Sequence, residues 1–182
     1  MAGGAAYKVR RFREEDLSSV VEINRKCLPE NYSSTFFIDI YRSHPETFLV
    51  AEWEGKVVAY IMCRVEHGFS ELSRLRIVRK GHIISLAVLP EHRLKGLATL
   101  LLVKAMEALH SRYGCSEVYL EVRVSNQPAI NLYRKLGFKE AKIINHYYID
   151  GENAFLMARR LPLGEGEEKT FLSALQAALD SS

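Results

Sequence analysis

The residues with the clearest chemical capacity lie where an apolar run meets a glycine-containing loop. Residues 82–88 read HIISLAV, and after a short connection residues 93–99 read RLKGLAT. A strand, a glycine loop and a helix in this order can bind a pyrophosphate, because backbone N–H groups at the loop and the first helical turn point at the anion. Gly96 lacks the Cβ that would block close approach, and Arg93 and Lys95 add positive charge. The pattern predicts an anion site, although ordinary strand-to-helix turns also match it by chance.

A second segment makes the prediction more specific. Residues 126–138 read NQPAINLYRKLGF, with Pro128 in the first turn of a predicted short helix and Gly137 at its end. Together, and at this spacing, the two segments resemble the GNAT superfamily of acyl-CoA N-acyltransferases. The resemblance covers residues 7–162 and implies acetyl-CoA as the cosubstrate.

Three further pieces narrow the resemblance: LPENY at 28–32, GHIISLAV at 81–88 and YYIDGENA at 147–154. They are similar to the catalytic subunits of NatA-type N-terminal acetyltransferases, and the compact chain is most similar to the archaeal members. The resemblance implies direct acetyl transfer, through a tetrahedral intermediate, to the α-amino group of a protein or peptide N-terminus. Ser, Ala and similar small first residues are the implied preference, with Met-led termini as a further class.

The resemblance also assigns cofactor roles to single residues. The backbone of Leu86, Ala87 and Val88 would pair with the pantetheine arm like an extra strand. The pyrophosphate would be held by the loop, whose residues are Arg93, Leu94, Lys95, Gly96, Leu97, Ala98 and Thr99. Further along, the cofactor would be lined by Asn126, Tyr133, Arg134 and Lys135.

On the substrate side, the resemblance places Tyr32 and Tyr148 on either side of the incoming N-terminus. Glu30, Arg123 and Tyr148 would form the catalytic cluster there. The chain departs from the family pattern at Ile149, where Ala is usual, and at Phe155, where Tyr is usual. Neither position carries an implied role.

The chemistry needs a proton acceptor and not a strong base. A free α-amino group has a pKa near ~7.7–8, so part of it is already neutral at pH 7. Backbone N–H groups of residues 86–88 could stabilise the oxyanion, and Tyr133 could protonate or stabilise the leaving thiolate. His82 and Glu121 lie on two strands expected to splay around the thioester, and Glu30 is the rival acceptor. The sequence does not rank these three residues.

The same residues also have alternative interpretations that do not involve acetyl transfer. Val118 to Val124 alternates strictly, so Glu121 and Arg123 share a polar strand face that either lines a cleft or meets water. His82 alone would be a hydrogen-bonded core histidine. His82 and Glu121 could instead hold Zn²⁺, but two ligands make a weak site because catalytic zinc usually has three. Zinc is therefore considered without being required.

The elements that must position these residues follow from periodicity and turn signals. Their predicted order is β-α-α-β-β-β-α-β-α-β-β, which indicates an α/β (mixed α+β) fold. We expect one GNAT-type domain over residues 7–162, with a central mixed, twisted sheet of seven strands flanked by four helices. Residues 66–79 have no clear period and are predicted to form a loop. Residues 138–149 and 153–160 are predicted strands around the turn Asp150-Gly151, and residues 163–182 a polar linker with a short helix at 170–179.

Composition limits the broad class of protein. The chain has 182 residues, 48% hydrophobic residues and a net charge of +3, which fits one domain with a sizeable core and does not demand nucleic acid. Cys27, Cys63 and Cys115 form no Cys-x-x-Cys pair, which favours free thiols in a reducing compartment. With no apolar stretch of membrane-spanning length, the expected location is the cytoplasm.

The expected partners are protein N-termini, with the ribosome or nascent chains as further candidates. Two other functions compete. A lysine or small-amine acetyltransferase would share the cofactor segments but not LPENY and YYIDGE. A non-catalytic acyl-CoA-binding module would keep the glycine loop and lose the substrate-side residues, which are present here.

Overall fold

A seven-stranded mixed sheet organises the protein in the computed structural model, which describes residues 6–180. The strands are β1 (Lys8–Arg11), β2 (Phe48–Trp53), β3 (Lys56–Phe69), β4 (Ile77–Val88), β5 (Glu117–Arg123), β6 (Lys139–Ile144) and β7 (Ala154–Arg160). Their order in the sheet is β1-β2-β3-β4-β5-β7-β6. β4 and β5 are parallel, whereas the other neighbours are antiparallel. The predicted single mixed sheet is confirmed.

Helices cover both faces of this sheet. They are α1 (Leu17–Cys27), α2 (Ser34–Ser43), α3 (Leu97–Tyr113), α4 (Gln127–Lys135) and α5 (Glu167–Asp180). α1 and α2 pack on one face around a core that includes Phe37, Phe48 and Tyr60. α3 covers the other face with fully buried leucines at 101, 102 and 109, because its apolar stripe is wide enough to be enclosed.

The parallel pair β4–β5 stays together over only three residue pairs. Within the described chain, that pairing ends at His82–Tyr119. Against β3, the register of β4 passes from Ile83 directly to Ser85, so Ile84 is the extra residue of a bulge. A bulge bends and twists its strand. Beyond it, β4 diverges from β5 and leaves a cleft between the two strands.

Two sequence predictions about strand length were wrong. The predicted loop at 66–79 is shortened to residues 70–76, because β3 and β4 continue as a hairpin to the pair Phe69–Ile77. Both of these side chains are exposed, so no buried face imposes an alternating pattern on the ribbon. At the other site, β6 ends at Ile144 instead of 149, because residues 145–153 form an irregular loop in which Asn153 accepts a hydrogen bond from the backbone N–H of His146.

A glycine in β4 allows α3 to lie close to the sheet. A Cβ at Gly81 would lie 2.5 and 2.7 Å from the two Cδ atoms of Leu109, which is fully buried. We expect Gly81→Ala to lower the free energy of unfolding by about 1–3 kcal/mol through overpacking. Denaturant titration measures this loss. Gly68→Ala is the matched control, since its Cβ would meet only Lys80 Cε at 3.9 Å. An equal loss in both variants would contradict the proposed close contact.

Candidate active site

The cleft between the diverging strands has a volume of about 990 Å³ and contains most of the predicted site. The predicted residues that line it are Glu30, Tyr32, Leu86, Ala87, Val88, Arg93, Leu94, Gly96, Leu97, Ala98, Thr99, Glu121, Arg123, Asn126, Tyr133, Lys135 and Tyr148. The fold therefore gathers both predicted ends, the glycine loop and the LPENY segment, around one cavity.

Three predicted residues lie outside this lining, all of them in the described part of the chain: His82, Lys95 and Arg134. Arg134 is exposed and pairs with Glu140 at the surface. His82 lies below the cleft floor, at the last residue pair of β4 and β5. His82 can therefore influence the cleft only through a neighbouring residue, Glu121.

The glycine loop has the backbone form that an anion site needs. Gly96 has φ +78° and immediately precedes α3, so the first N–H groups of that helix open toward the cleft. A Cβ on Gly96 would also lie 2.2 Å from Leu175 of α5, a second requirement for glycine that sequence reasoning missed. The Arg93 side chain bends back and donates from Nε to the carbonyl of Val88 at 2.9 Å. The loop is thus tied to the end of β4.

At the opposite end, Arg123 joins three carboxylates from two segments. Its guanidinium donates to Glu30 at 2.6 Å and to Asp150 and Glu152 at 2.8 Å each. It also lies 4.0 Å from the centre of the Tyr148 ring, a cation–π contact. A hydrogen bond from Ser125 and the pairing with Arg123 lower the pKa of Glu152. The network connects the 28–32 loop to the 145–153 loop across the mouth of the cleft.

A second polar cluster lies where β4 and β5 part. His82 Nε2 lies 2.6 Å from a carboxylate oxygen of Glu121. Because an ionised carboxylate only accepts hydrogen bonds, Nε2 carries the proton in this contact. The His82 ring stacks on Tyr119 with centroids 4.4 Å apart, and the Tyr119 hydroxyl donates to Glu66. Glu121 is thus held from below by an oriented imidazole while it faces the cleft.

The tyrosines around the cleft remain protonated near neutral pH. Burial raises the pKa of Tyr133 to about 12 and also raises the pKa of Tyr32. Burial and the charge of Glu30 raise the pKa of Tyr148. Tyr147 lines the cleft beside Tyr148, edge to face at 5.0 Å, so both tyrosines of the pair face it. Tyr133, Tyr147 and Tyr148 can donate hydrogen bonds to a ligand, whereas the Tyr32 hydroxyl donates to the carbonyl of Ile84.

The geometry of His82 and Glu121 bears on the alternative that these two residues bind Zn²⁺. The two residues considered as ligands, His82 and Glu121, hydrogen-bond to each other. Over residues 6–180, no group of three or more His, Cys, Asp or Glu side chains is placed to hold a metal ion. A search of the same residues also finds no helix that combines the length and apolar character of a membrane span.

Sequence reasoning missed several polar residues around the site. Glu66 and Tyr119 support the His82–Glu121 pair, and the alternating polar face of β5 was a signal for Tyr119. Asn24 and Ser85 are buried, and Ser85 belongs to the cleft lining whereas Asn24 lies behind it. Asn24 falls on the apolar stripe of α1, and a polar residue there was the available signal.

Comparison with known proteins gives a consistent result. Residues 17–138 match the model of the acetyltransferase (GNAT) family. An N-alpha-acetyltransferase of Sulfurisphaera tokodaii is 52% identical over 159 residues, which are 87% of this chain and 95% of the relative. The N-terminal acetyltransferase A complex catalytic subunit NAA10 of Arabidopsis thaliana is 39% identical over 155 residues, which are 84% and 77% of the two chains.

Among solved structures, a chain of the NatC complex bound to Gag peptide and CoA superposes with a TM-score of 0.75. It is 25% identical in sequence, and the match covers 86% of this chain and 99% of that one.

Proposed function

The chain belongs to the acetyltransferase (GNAT) family and is an N-alpha-acetyltransferase, and from this we propose how its cleft receives the two substrates. Acetyl-CoA enters from the glycine-loop end, and the protein N-terminus enters from the end that holds Glu30, Tyr32 and Tyr148. The divergence of β4 from β5 carries this proposal, since it leaves strand backbone open to the cleft between two chemically different ends.

The cofactor end fits acetyl-CoA in shape and in hydrogen-bonding capacity. Beyond His82, the β4 backbone has no β5 partner within the described chain, so residues 86–88 can pair with an amide-bearing arm as another strand would. The glycine loop and the start of α3 offer N–H groups for a pyrophosphate. Acetyl-CoA supplies the acetyl group as a thioester.

The substrate end of the cleft combines an aromatic wall with an excess of negative charge. The Tyr32 ring stacks on Phe36 with centroids 4.9 Å apart, so this wall is rigid. Glu30, Asp150 and Glu152 outnumber Arg123 in charge, which attracts an α-ammonium group before it loses its proton. We propose that small first residues such as Ser and Ala fit here, with Met-led termini as a further class.

Glu121 is our preferred acceptor for the proton that the amine loses. It lines the cleft at the parting of the strands, whereas His82 contacts Glu121 from below and Glu30 is paired with Arg123. The proton taken by Glu121, directly or through water, stays on its carboxyl group, which the hydrogen bond with His82 Nε2 holds in place. Substitution of Glu121, His82 and Glu30 in turn tests this proposed ranking.

Tyr133 is proposed to donate to the departing thiolate. We expect Tyr133→Phe to lower kcat about tenfold, because a thiolate is a good leaving group and needs only modest help. Because its pKa is raised to about 12, the phenol stays protonated below that value and loses its proton only as the pH rises through it. Ionisation of Tyr133 should therefore not reduce the rate between about pH 9 and pH 11. Steady-state kinetics across this range measures both effects, with Tyr113→Phe as control. A Tyr133→Phe rate equal to wild type would contradict the role.

Acetyl transfer from radiolabelled acetyl-CoA to two matched peptides tests the substrate assignment. One peptide has a free Ser or Ala N-terminus and no lysine, and the other has a blocked N-terminus and one internal lysine. We expect label on the first peptide only. Label mainly on the second would make the protein a lysine acetyltransferase, and label on neither would favour an acyl-CoA-binding module. Replacing the first residue by Met then measures the preference.

The natural substrates are proposed to be newly made protein N-termini in the cytoplasm. The open end of the cleft supports an extended peptide as substrate, since the exposed Ile149 and the half-exposed Tyr147 flank its mouth. We propose that the protein associates with ribosomes and there encounters the N-termini of nascent chains. Sedimentation with translating ribosomes at increasing salt would test it.

A further inference from the structure

A buried asparagine lies beneath the substrate end of the cleft. Asn24 is only 1% exposed, although it belongs to the apolar face of α1. Its Nδ2 donates to the carbonyl of Glu30 at 3.1 Å, and its Oδ1 accepts from the backbone N–H of Tyr32 at 3.3 Å. One side chain therefore holds the backbone on both sides of the turn that presents Glu30 and Tyr32.

The same asparagine is connected to the cofactor strand. Its Nδ2 also donates to the Tyr60 hydroxyl at 3.0 Å, and that hydroxyl lies 2.7 Å from Ser85 Oγ. Ser85 directly follows the bulge residue Ile84 in β4, and the Tyr32 hydroxyl donates to the carbonyl of Ile84 at 3.4 Å. Hydrogen bonds thus join the substrate loop to the strand that diverges from β5.

We propose that Asn24 is a positioning residue that fixes the 28–32 loop against β4, and thereby sets the width of the pocket for the substrate's α-amino group. The inference rests on the proposed substrate end of the cleft. Glu30 reaches Arg123 from this loop, so a displaced loop would shift Glu30 and Tyr32 together. An apolar residue of similar size could fill the space under the loop, but it could not hold the two backbone groups.

The buried setting makes these hydrogen bonds selective for one loop position. Asn24, Tyr60 and Ser85 are all buried, and a polar group left there without a partner is costly. Alternative loop positions would leave the asparagine amide unsatisfied. A fully connected buried network of this kind favours a single arrangement.

Substitution of Asn24 tests the proposal by separating peptide binding from cofactor binding. We expect Asn24→Ala to raise the KM for a Ser-led peptide about tenfold, while the Kd for acetyl-CoA stays within about twofold of wild type. Hydrogen exchange of the segment 28–33 should rise. Asn31→Ala is the matched control, because Asn31 is exposed in the same loop and lies outside the cleft lining. It should keep the wild-type KM.

Tyr60→Phe gives a second test that keeps the buried ring in place. We expect it to raise the peptide KM about threefold, since it removes only the hydroxyl between Asn24 and Ser85. The effects of Asn24→Ala and Ser85→Ala on kcat/KM should be non-additive when the two are combined, because the Tyr60 hydroxyl is hydrogen-bonded to both side chains. Tyr60→Phe carries the test if Asn24→Ala does not fold.

Three results would overturn the proposal: an unchanged peptide KM in the variants that fold, equal rises in peptide KM and acetyl-CoA Kd, or additive effects in the double variant. Failure of the underlying substrate assignment looks different. In that case, the wild-type protein itself would not acetylate the free N-terminus of the Ser-led peptide.

Discussion

Glu121→Gln is expected to lower kcat for a Ser-led peptide about 100-fold, with the Kd for acetyl-CoA unchanged. The value lies at the lower end of what a positioned acid–base group contributes, because part of the α-amine is already neutral. Glutamine keeps the shape of the side chain and cannot take up the proton. Steady-state kinetics and calorimetric titration of acetyl-CoA measure the two quantities.

The ranking of the three acceptors comes from parallel substitutions. His82→Gln should lower kcat less than Glu121→Gln, because His82 reaches the cleft only through Glu121. Glu30→Gln should act mainly on the peptide KM, because Glu30 is paired with Arg123. Glu107→Gln, on the exposed side of α3, and His67→Gln, on exposed β3, are the controls. Full activity of Glu121→Gln with inactive Glu30→Gln would reverse the assignment.

Arg123→Met is expected to raise the peptide KM about thirtyfold, the second large effect. Removing the guanidinium leaves Glu30, Asp150 and Glu152 close together without the cation that joins them, and like charges at short range repel. The two loops at the mouth of the cleft would then separate. Peptide kinetics at fixed ionic strength gives the KM.

Two comparisons make the result for Arg123 specific. Arg123→Lys keeps the charge but lacks the planar fork that serves several carboxylates, so its KM should lie between those of wild type and Arg123→Met. Arg112→Met removes an exposed arginine of α3 and should have no effect. A loss of acetyl-CoA affinity equal to the rise in peptide KM would mean that Arg123 supports the whole fold instead of the substrate end.

The features predicted well from the sequence are those encoded locally. The strand at 81–88, which is the second half of β4, the helix after Gly96 and the short helix with Pro128 each follow from apolar patterning and from glycine or proline at a boundary. The resemblance then placed most site residues around one cleft, as found. Local signals failed for the β3–β4 hairpin, because its exposed ends lack a buried face that would impose alternation.

The supporting polar residues could not be predicted in the same way, because their partners are distant in sequence. Tyr60 lies 36 residues from Asn24, and Glu66 lies 53 residues from Tyr119. Asn24 stood out only as a polar residue on an apolar stripe. A one-dimensional pattern can mark such a residue as unusual, but only the folded sheet shows which backbone groups it holds.

The early parting of β4 from β5 creates a strand edge in the middle of a sheet. Free strand edges invite pairing with other chains and are a common origin of aggregation, so natural proteins cover or interrupt them. Here the edge lies inside the cleft, whose lining also includes residues of the 28–32 loop and of the glycine loop. The open edge of β4 can therefore pair with a ligand of strand-like width, while its position inside the cleft keeps it from pairing with strands of neighbouring molecules.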